Sequence, residues 1–90
     1  MRLSDAMEAG YAKVGKQTAF LLWDGMSPFN PEKVCALGAA NYGQSGCAMM
    51  SMSATCTHAP AEILSYITRL NDHCKMPIPE IVETLRGMGL

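Results

Sequence analysis

Cysteine and histidine side chains are concentrated in the second half of this 90-residue chain, and they are the groups with the clearest chemical potential. Thiolate sulfur and imidazole nitrogen are the ligands that zinc prefers, in tetrahedral sets of four. The candidate metal ligands are Cys47, Cys56, His58, His73 and Cys74. Zinc sites usually show a C-x2-4-C pair, and the nearest approach to one here is the tighter Cys56-Thr57-His58. Zinc is therefore the alternative hypothesis, and the main one is buried apolar cysteines with no cofactor.

Catalytic groups are harder to find. Cys56 with His58, or Cys74 with His73, would make a nucleophile and base pair only if the fold brought the two side chains together, and no family signature surrounds them. The chain also lacks a glycine-rich loop followed by Gly-Lys-Ser or Gly-Lys-Thr. We therefore predict no catalytic residue and favour a protein that is not an enzyme.

Methionine is frequent in segments with little helical or strand periodicity. Met49, Met50 and Met52 follow one another closely, and Met26 lies in an earlier turn. Methionine side chains are flexible and polarisable, so on a surface they suit protein binding and in a core they fill gaps. Both interpretations are open, and the first makes these four methionines candidate contacts for a protein partner or for self-association.

Charge argues against nucleic acid and membrane partners. Seven basic residues oppose eight acidic ones, which gives a net charge of -1 and no field that would attract phosphate groups. A C-terminal helix pair resembles a helix-turn-helix in outline, but its second helix carries Glu80 and Glu83 with only Arg86 as a cation. The longest apolar run, residues 19–23, is too short to cross a bilayer, and no signal-peptide pattern opens the chain. We expect a cytoplasmic protein, in which the cysteines, Cys35 included, are free thiols or metal ligands rather than disulfides.

Apolar spacing predicts a mostly α fold, namely a single small domain with a bundle of about four helices. Ser4 as an N-cap and Gly15 as a C-terminal residue bound the first helix. Asn30-Pro31-Glu32 predicts the start of the second, and Gly43 its end. The predicted helices are 4–14, 31–42, 60–70 and 79–86, with an extended or β segment near 18–23 and a long uncharged loop at 43–59.

Three short stretches resemble a family of small uncharacterised proteins from prokaryotes and their viruses. They are Leu3-Ser4-Asp5-Ala6-Met7-Glu8-Ala9-Gly10, Cys35-Ala36-Leu37-Gly38-Ala39-Ala40, and Leu70-Asn71-Asp72 followed by Ile81-Val82-Glu83. The family pattern is an L-S-x-A-I-x-x-G opening, a C-A-L-G-A-A helix and an L-N-D-x-H ending that leads into a helix beginning I-A. The family often has a C-P-x-C element where this chain has Cys56-Thr57-His58, and its terminal histidine falls at Cys74. The resemblance thus leaves the zinc question open and implies no activity.

Together these patterns predict a non-catalytic protein-interaction or regulatory module, of phage or mobile-element origin if the resemblance holds. The alternative is a zinc-stapled regulatory domain whose C-terminal helix pair contacts nucleic acid.

Overall fold

The computed structural model describes residues 2–49 and 61–90. In these residues four helices and a two-stranded antiparallel sheet are present, as the sequence predicts for a small, mostly α domain. The helices are α1 (Leu3–Val14), α2 (Ala36–Ser45), α3 (Ala61–Asp72) and α4 (Ile78–Gly87). The strands are β1 (Trp23–Asp24) and β2 (Lys33–Val34).

The closest packing in the fold is between α1 and α2, because both helices present residues with small side chains where they cross. A Cβ atom added to Gly10 would overlap the backbone of Ala39, and one added to Gly43 would overlap the backbone of Ala6. Two residues without side chains therefore bring the helix backbones into direct contact, as small-residue pairs spaced four apart do in other closely packed helices.

The core lies between this α1–α2 pair and the two C-terminal helices. Its largest fully buried side chains come from every element except α2 and β1: Met7 of α1, Val34 of β2, Ile67 of α3, and Ile78, Ile81, Val82 and Leu85 of α4. Their recurrence every three or four residues in α4 gives that helix one apolar face, which it buries against the rest of the domain. No helix in the described ranges is long and apolar enough to cross a membrane.

The outer surface of α4 is linked to α1 by Arg86. Its guanidinium donates to Glu8 at 3.0 and 3.1 Å and to Asp5 at 3.2 Å. The hydrogen bonds from Arg86 lower the pKa of Glu8, and the two carboxylates raise that of Arg86. Asp5 lies in the first turn of α1, where the helix dipole also favours negative charge.

Two predicted helix starts are wrong. Asn30-Pro31 does not begin α2: Lys33 and Val34 form β2, and the helix starts at Ala36 with Cys35 as its N-cap. Pairing of Val34 with Trp23 outweighs the local signal of an asparagine followed by proline. Ser4 is not the N-cap of α1, because the helix already begins at Leu3 and its N-cap is Arg2. The Ser4 hydroxyl is instead buried, with no hydrogen-bond partner among the described residues.

The end of α2 also differs from the prediction. Gly43 lies inside the helix, which continues to Ser45 and ends at Gly46 in the left-handed conformation (φ 75°). Gly43 is present for close approach to α1 and not to stop the helix. Residues 43–45 of the predicted loop are thus helical, 46–49 are not, and 50–60 lie outside the described residues. Gly15 does end α1 as predicted, with φ 75° and its N–H bonded to the Tyr11 carbonyl at 2.7 Å.

Candidate interaction site

The two strands form a hairpin whose connection, residues 25–32, carries exposed apolar side chains; we call this connection the hairpin loop. Met26 is 96% exposed and Phe29 is 69% exposed. Hydrogen bonds hold the loop in shape: Phe29 N–H donates to Ser27 Oγ at 3.1 Å, and Ala48 N–H donates to the Pro28 carbonyl at 2.8 Å. The second bond brings the backbone directly before the exposed Met49 next to the loop.

The segment before β1 exposes two more apolar side chains, Phe20 and Leu21. Phe20 adopts a left-handed backbone conformation (φ 66°), which costs a bulky residue about 1–2 kcal/mol. Its N–H donates to Asp72 Oδ1 at 3.0 Å, and its ring packs edge-on against His73 with centroids 5.8 Å apart. A strained backbone held by a side chain from α3 is a feature that is often found at binding sites.

Asn71, at the end of α3, holds this segment to the rest of the fold. Its Oδ1 accepts hydrogen bonds from Gln17 Nε2 at 2.8 Å and from the N–H of Ala36 at 3.0 Å. Its Nδ2 donates to the Thr18 carbonyl at 2.9 Å and to Asp72 Oδ1 at 2.8 Å. Because this side chain is buried, the four bonds satisfy its polar atoms and fix the start of α2 and residues 17–18 together.

Gln17 extends the same network to α4. Its Nε2 also donates to the Met76 carbonyl at 2.9 Å, and its Oε1 accepts from the N–H of Ile78, the first residue of that helix, at 2.8 Å. An amide side chain thus caps the helix that follows Pro77, a residue that has no side-chain cap to offer. One connected set of amide and carboxylate groups therefore positions residues 17–20, the starts of α2 and α4, and the end of α3.

A half-open pocket of about 130 Å³ lies between residues 20–22, the start of α2 and the face of α3. Its apolar walls are formed by side chains that include Leu22, Leu37 and Ile67. Its lining also includes polar groups, among them Cys35, Thr68 and Asp72. Such a mixture of apolar walls and a few polar groups is typical of sites that bind a ligand or a partner side chain.

Cys35 is the N-cap of α2, and its sulfur accepts a hydrogen bond from the N–H of Gly38 at 3.4 Å. Burial raises the pKa of this thiol above its usual value of 9.0. Cys35 is therefore a protonated thiol at neutral pH, and it lines the pocket as a polarisable wall and not as a nucleophile.

The predicted metal ligands do not form a cluster in the part of the chain that the structure describes. Cys47 is half-buried just after α2, whereas His73 and Cys74 are exposed at the end of α3. Cys56 and His58 lie outside the described residues. Within 2–49 and 61–90, no three histidine, cysteine, aspartate or glutamate side chains are placed to hold one metal ion.

Of the predicted partner-binding methionines, Met26 and Met49 are exposed, and Met50 and Met52 lie outside the described residues. Sequence reasoning missed Phe20, Leu21 and Phe29, because aromatic and aliphatic residues near a predicted strand are normally assigned to a core. A signal for Phe29 was present: it stands between Pro28 and Asn30, two turn formers, and turns lie on surfaces.

Comparison with family models, with curated proteins and with solved structures gives no match. The family resemblance therefore stays a prediction. Asn71 and Asp72, which belong to the Leu70-Asn71-Asp72 stretch on which it partly rests, both lie in the hydrogen-bond network described above.

Proposed function

We propose that this protein is a non-catalytic interaction module that binds another protein through the hairpin loop and the preceding segment at residues 20–21. The observation that carries the proposal is the exposure of Met26, Phe29 and Phe20 on backbone that hydrogen bonds hold in place. Large exposed apolar side chains on a well-supported loop are costly in water and useful when a partner covers them.

The energy available from these three side chains indicates what kind of complex to expect. Burying the three of them from their present exposure would contribute about 3.5–7 kcal/mol, at about 1.5–3 kcal/mol for each fully buried side chain. Association costs at least about 4 kcal/mol in lost translational and rotational freedom. These three side chains alone therefore support a weak, transient complex, and a tight one needs further contacts.

The charge distribution favours a protein partner over a nucleic acid. Arg86, the cation that a C-terminal recognition helix would offer to phosphates, is bound by the carboxylates of Glu8 and Asp5. Glu83 is also 3.5 Å from it. Releasing Arg86 for a phosphate contact would break these ion pairs, which makes binding through α4 unfavourable.

Photocrosslinking at defined positions tests the proposal. Benzophenone-alanine is placed at Met26 or Phe29 in the full chain, in the cells that produce it, and adducts are analysed by mass spectrometry. We expect both positions to give the same discrete adduct, with another protein or with a second copy of this chain.

Matched controls carry the same probe at Ala12 of α1 and Glu80 of α4, which are exposed and distant in sequence from the hairpin loop. They should give no such adduct. The proposal fails if positions 26 and 29 give none, or if the control positions give the same bands.

A further inference from the structure

The pocket beside the hairpin has the size and lining to bind one side chain of a partner protein. Building on the proposed function, we infer that it receives a leucine-sized side chain of the bound protein, and that Arg69 beside it binds a carboxylate on the same segment. The pocket and this arginine would supply the specificity that the exposed hairpin loop lacks.

The size and lining of the pocket indicate a branched aliphatic group. Its volume of about 130 Å³ is slightly below the ~150 Å³ of an engineered apolar cavity that binds benzene. Leu22, Leu37 and Ile67 supply apolar contact, and the Cys35 thiol adds a polarisable wall. A negatively charged side chain would lose its hydration there and would meet the carboxylate of Asp72.

The wall formed by residues 20–22 is fixed before any ligand arrives. Asp72 Oδ1 accepts the N–H of Phe20 and is itself bonded by Asn71 Nδ2, so the strained left-handed residue is anchored to α3. Holding the wall in place removes part of the ordering cost of binding, which is the usual advantage of a preorganised site.

The rim of the pocket favours a protein segment over a free small molecule. Phe20 and Leu21 line the pocket and are also largely exposed outside it. A molecule that only filled the cavity would leave these surfaces in water. A polypeptide that inserted one side chain would cover them with its neighbouring residues.

The positive charge of Arg69 next to the pocket indicates which chemical group of the partner would bind beside the inserted side chain. A shallower depression of about 310 Å³ adjoins the pocket at Thr68, which lines both, and it contains Arg69 and His73. Arg69 is exposed, and no ion pair of its side chain occurs among residues 2–49 and 61–90. The nearby Asp72 has one oxygen that accepts hydrogen bonds from within the protein. A carboxylate of the partner segment is therefore best placed next to Arg69, which follows Thr68 in α3.

N-acetyl-leucine is the probe for this site, since it carries the aliphatic side chain and the carboxylate in one small molecule. We expect it to shift the amide NMR signals of residues 20–22, 35–37 and 67–72 with a Kd in the low millimolar range. It should also slow modification of Cys35 by methyl methanethiosulfonate, while Cys74, which is exposed, reacts as before. N-acetyl-alanine should do neither, and N-acetyl-leucinamide should bind about threefold more weakly.

Two variants test which residues are responsible for binding of these probes. Thr68→Trp should block the pocket and weaken N-acetyl-leucine at least about tenfold, whereas Glu80→Trp on the exposed side of α4 should leave it unchanged. Arg69→Ala should weaken N-acetyl-leucine and leave N-acetyl-leucinamide unaffected.

Equal binding of N-acetyl-alanine and N-acetyl-leucine to the unmodified protein, or binding unaffected by Thr68→Trp, would overturn the pocket assignment. Equal binding of the acid and the amide would overturn the role of Arg69. If these probes fail while crosslinks from positions 26 and 29 persist, the interaction module stands and only its anchor is wrong.

Discussion

Replacing Gly10 with alanine tests how tightly the crossing of α1 and α2 limits this fold. The added methyl group would overlap the carbonyl of Ala39 and lie 2.8 Å from the backbone nitrogen of Gly43. These neighbours are backbone atoms of a helix, which cannot rotate away as the end of a flexible side chain can. The two helices must therefore move apart by roughly 1–2 Å before the methyl reaches van der Waals distance.

Two opposing terms set the size of the effect. Alanine gains about 1 kcal/mol over glycine in a helix interior. Overpacking a well-filled site costs about 1–3 kcal/mol and more where backbone must shift, and separation also loosens the buried contacts of Met7 and Ala39. Because backbone must shift, the cost lies at the upper end of that range or above it, and after the gain is subtracted we expect a net loss of about 2 kcal/mol or more in the free energy of unfolding, which lowers Tm by about 8 °C or more in a domain of this size.

Thermal and urea unfolding of Gly10→Ala and Gly87→Ala measures this directly. Gly87, in the last turn of α4, has no neighbouring heavy atom within 4 Å of an added Cβ. It therefore serves as the matched control, with an expected gain of up to about 1 kcal/mol. A Gly10→Ala protein as stable as the parent would refute the close crossing.

Three further outcomes follow from the network and its surroundings. Asn71→Ala leaves the first amide of α2 without its acceptor and should cost about 2–4 kcal/mol in urea unfolding; a loss below about 0.5 kcal/mol would contradict its central role. Arg86 lowers the pKa of Glu8, so the stabilisation from this pair is present above the unfolded value of 4.5 and is lost as pH falls through the folded value. Arg86→Gln should therefore reduce the fall of Tm at acid pH, and an unchanged fall would exclude this ion pair as its cause. Cys35 should react with Ellman's reagent at least about tenfold more slowly than Cys74, and equal rates would mean that burial does not protect it.

The helical frame was accessible from the sequence, because its signals are local. Leu3 and Met7, and later Ile81, Val82 and Leu85, recur at helical spacing, and the structure buries each of them. The predictions of helix bounds were wrong where a tertiary contact overrides a local sequence signal. Gly43 has the form of a helix stop, yet it lies inside α2, because only a residue without a side chain fits against the backbone of Ala6.

The candidate site was harder to predict from the sequence, because its parts are far apart in the chain. Gln17 and Asn71 are separated by 54 positions, and neither type of side chain indicates a partner by itself. Phe20 gives no sequence sign of its left-handed backbone, which depends on a hydrogen bond to Asp72. The sequence singled out Met26 and Met49 as candidate contacts and left their exposure open, whereas it gave no sign of the pocket between three elements.

The separation of Gln17 from Asn71 also sets the order in which the chain can fold during synthesis. At about 5–20 residues per second, a ribosome needs roughly 3–11 s to make the 54 positions between them. During that interval the side-chain amide that joins Thr18 to Ala36 has not yet been made. The bonds from Asn71 to Thr18 and Ala36 can thus form only after more than half of the chain has been made, although both of those partners are made early.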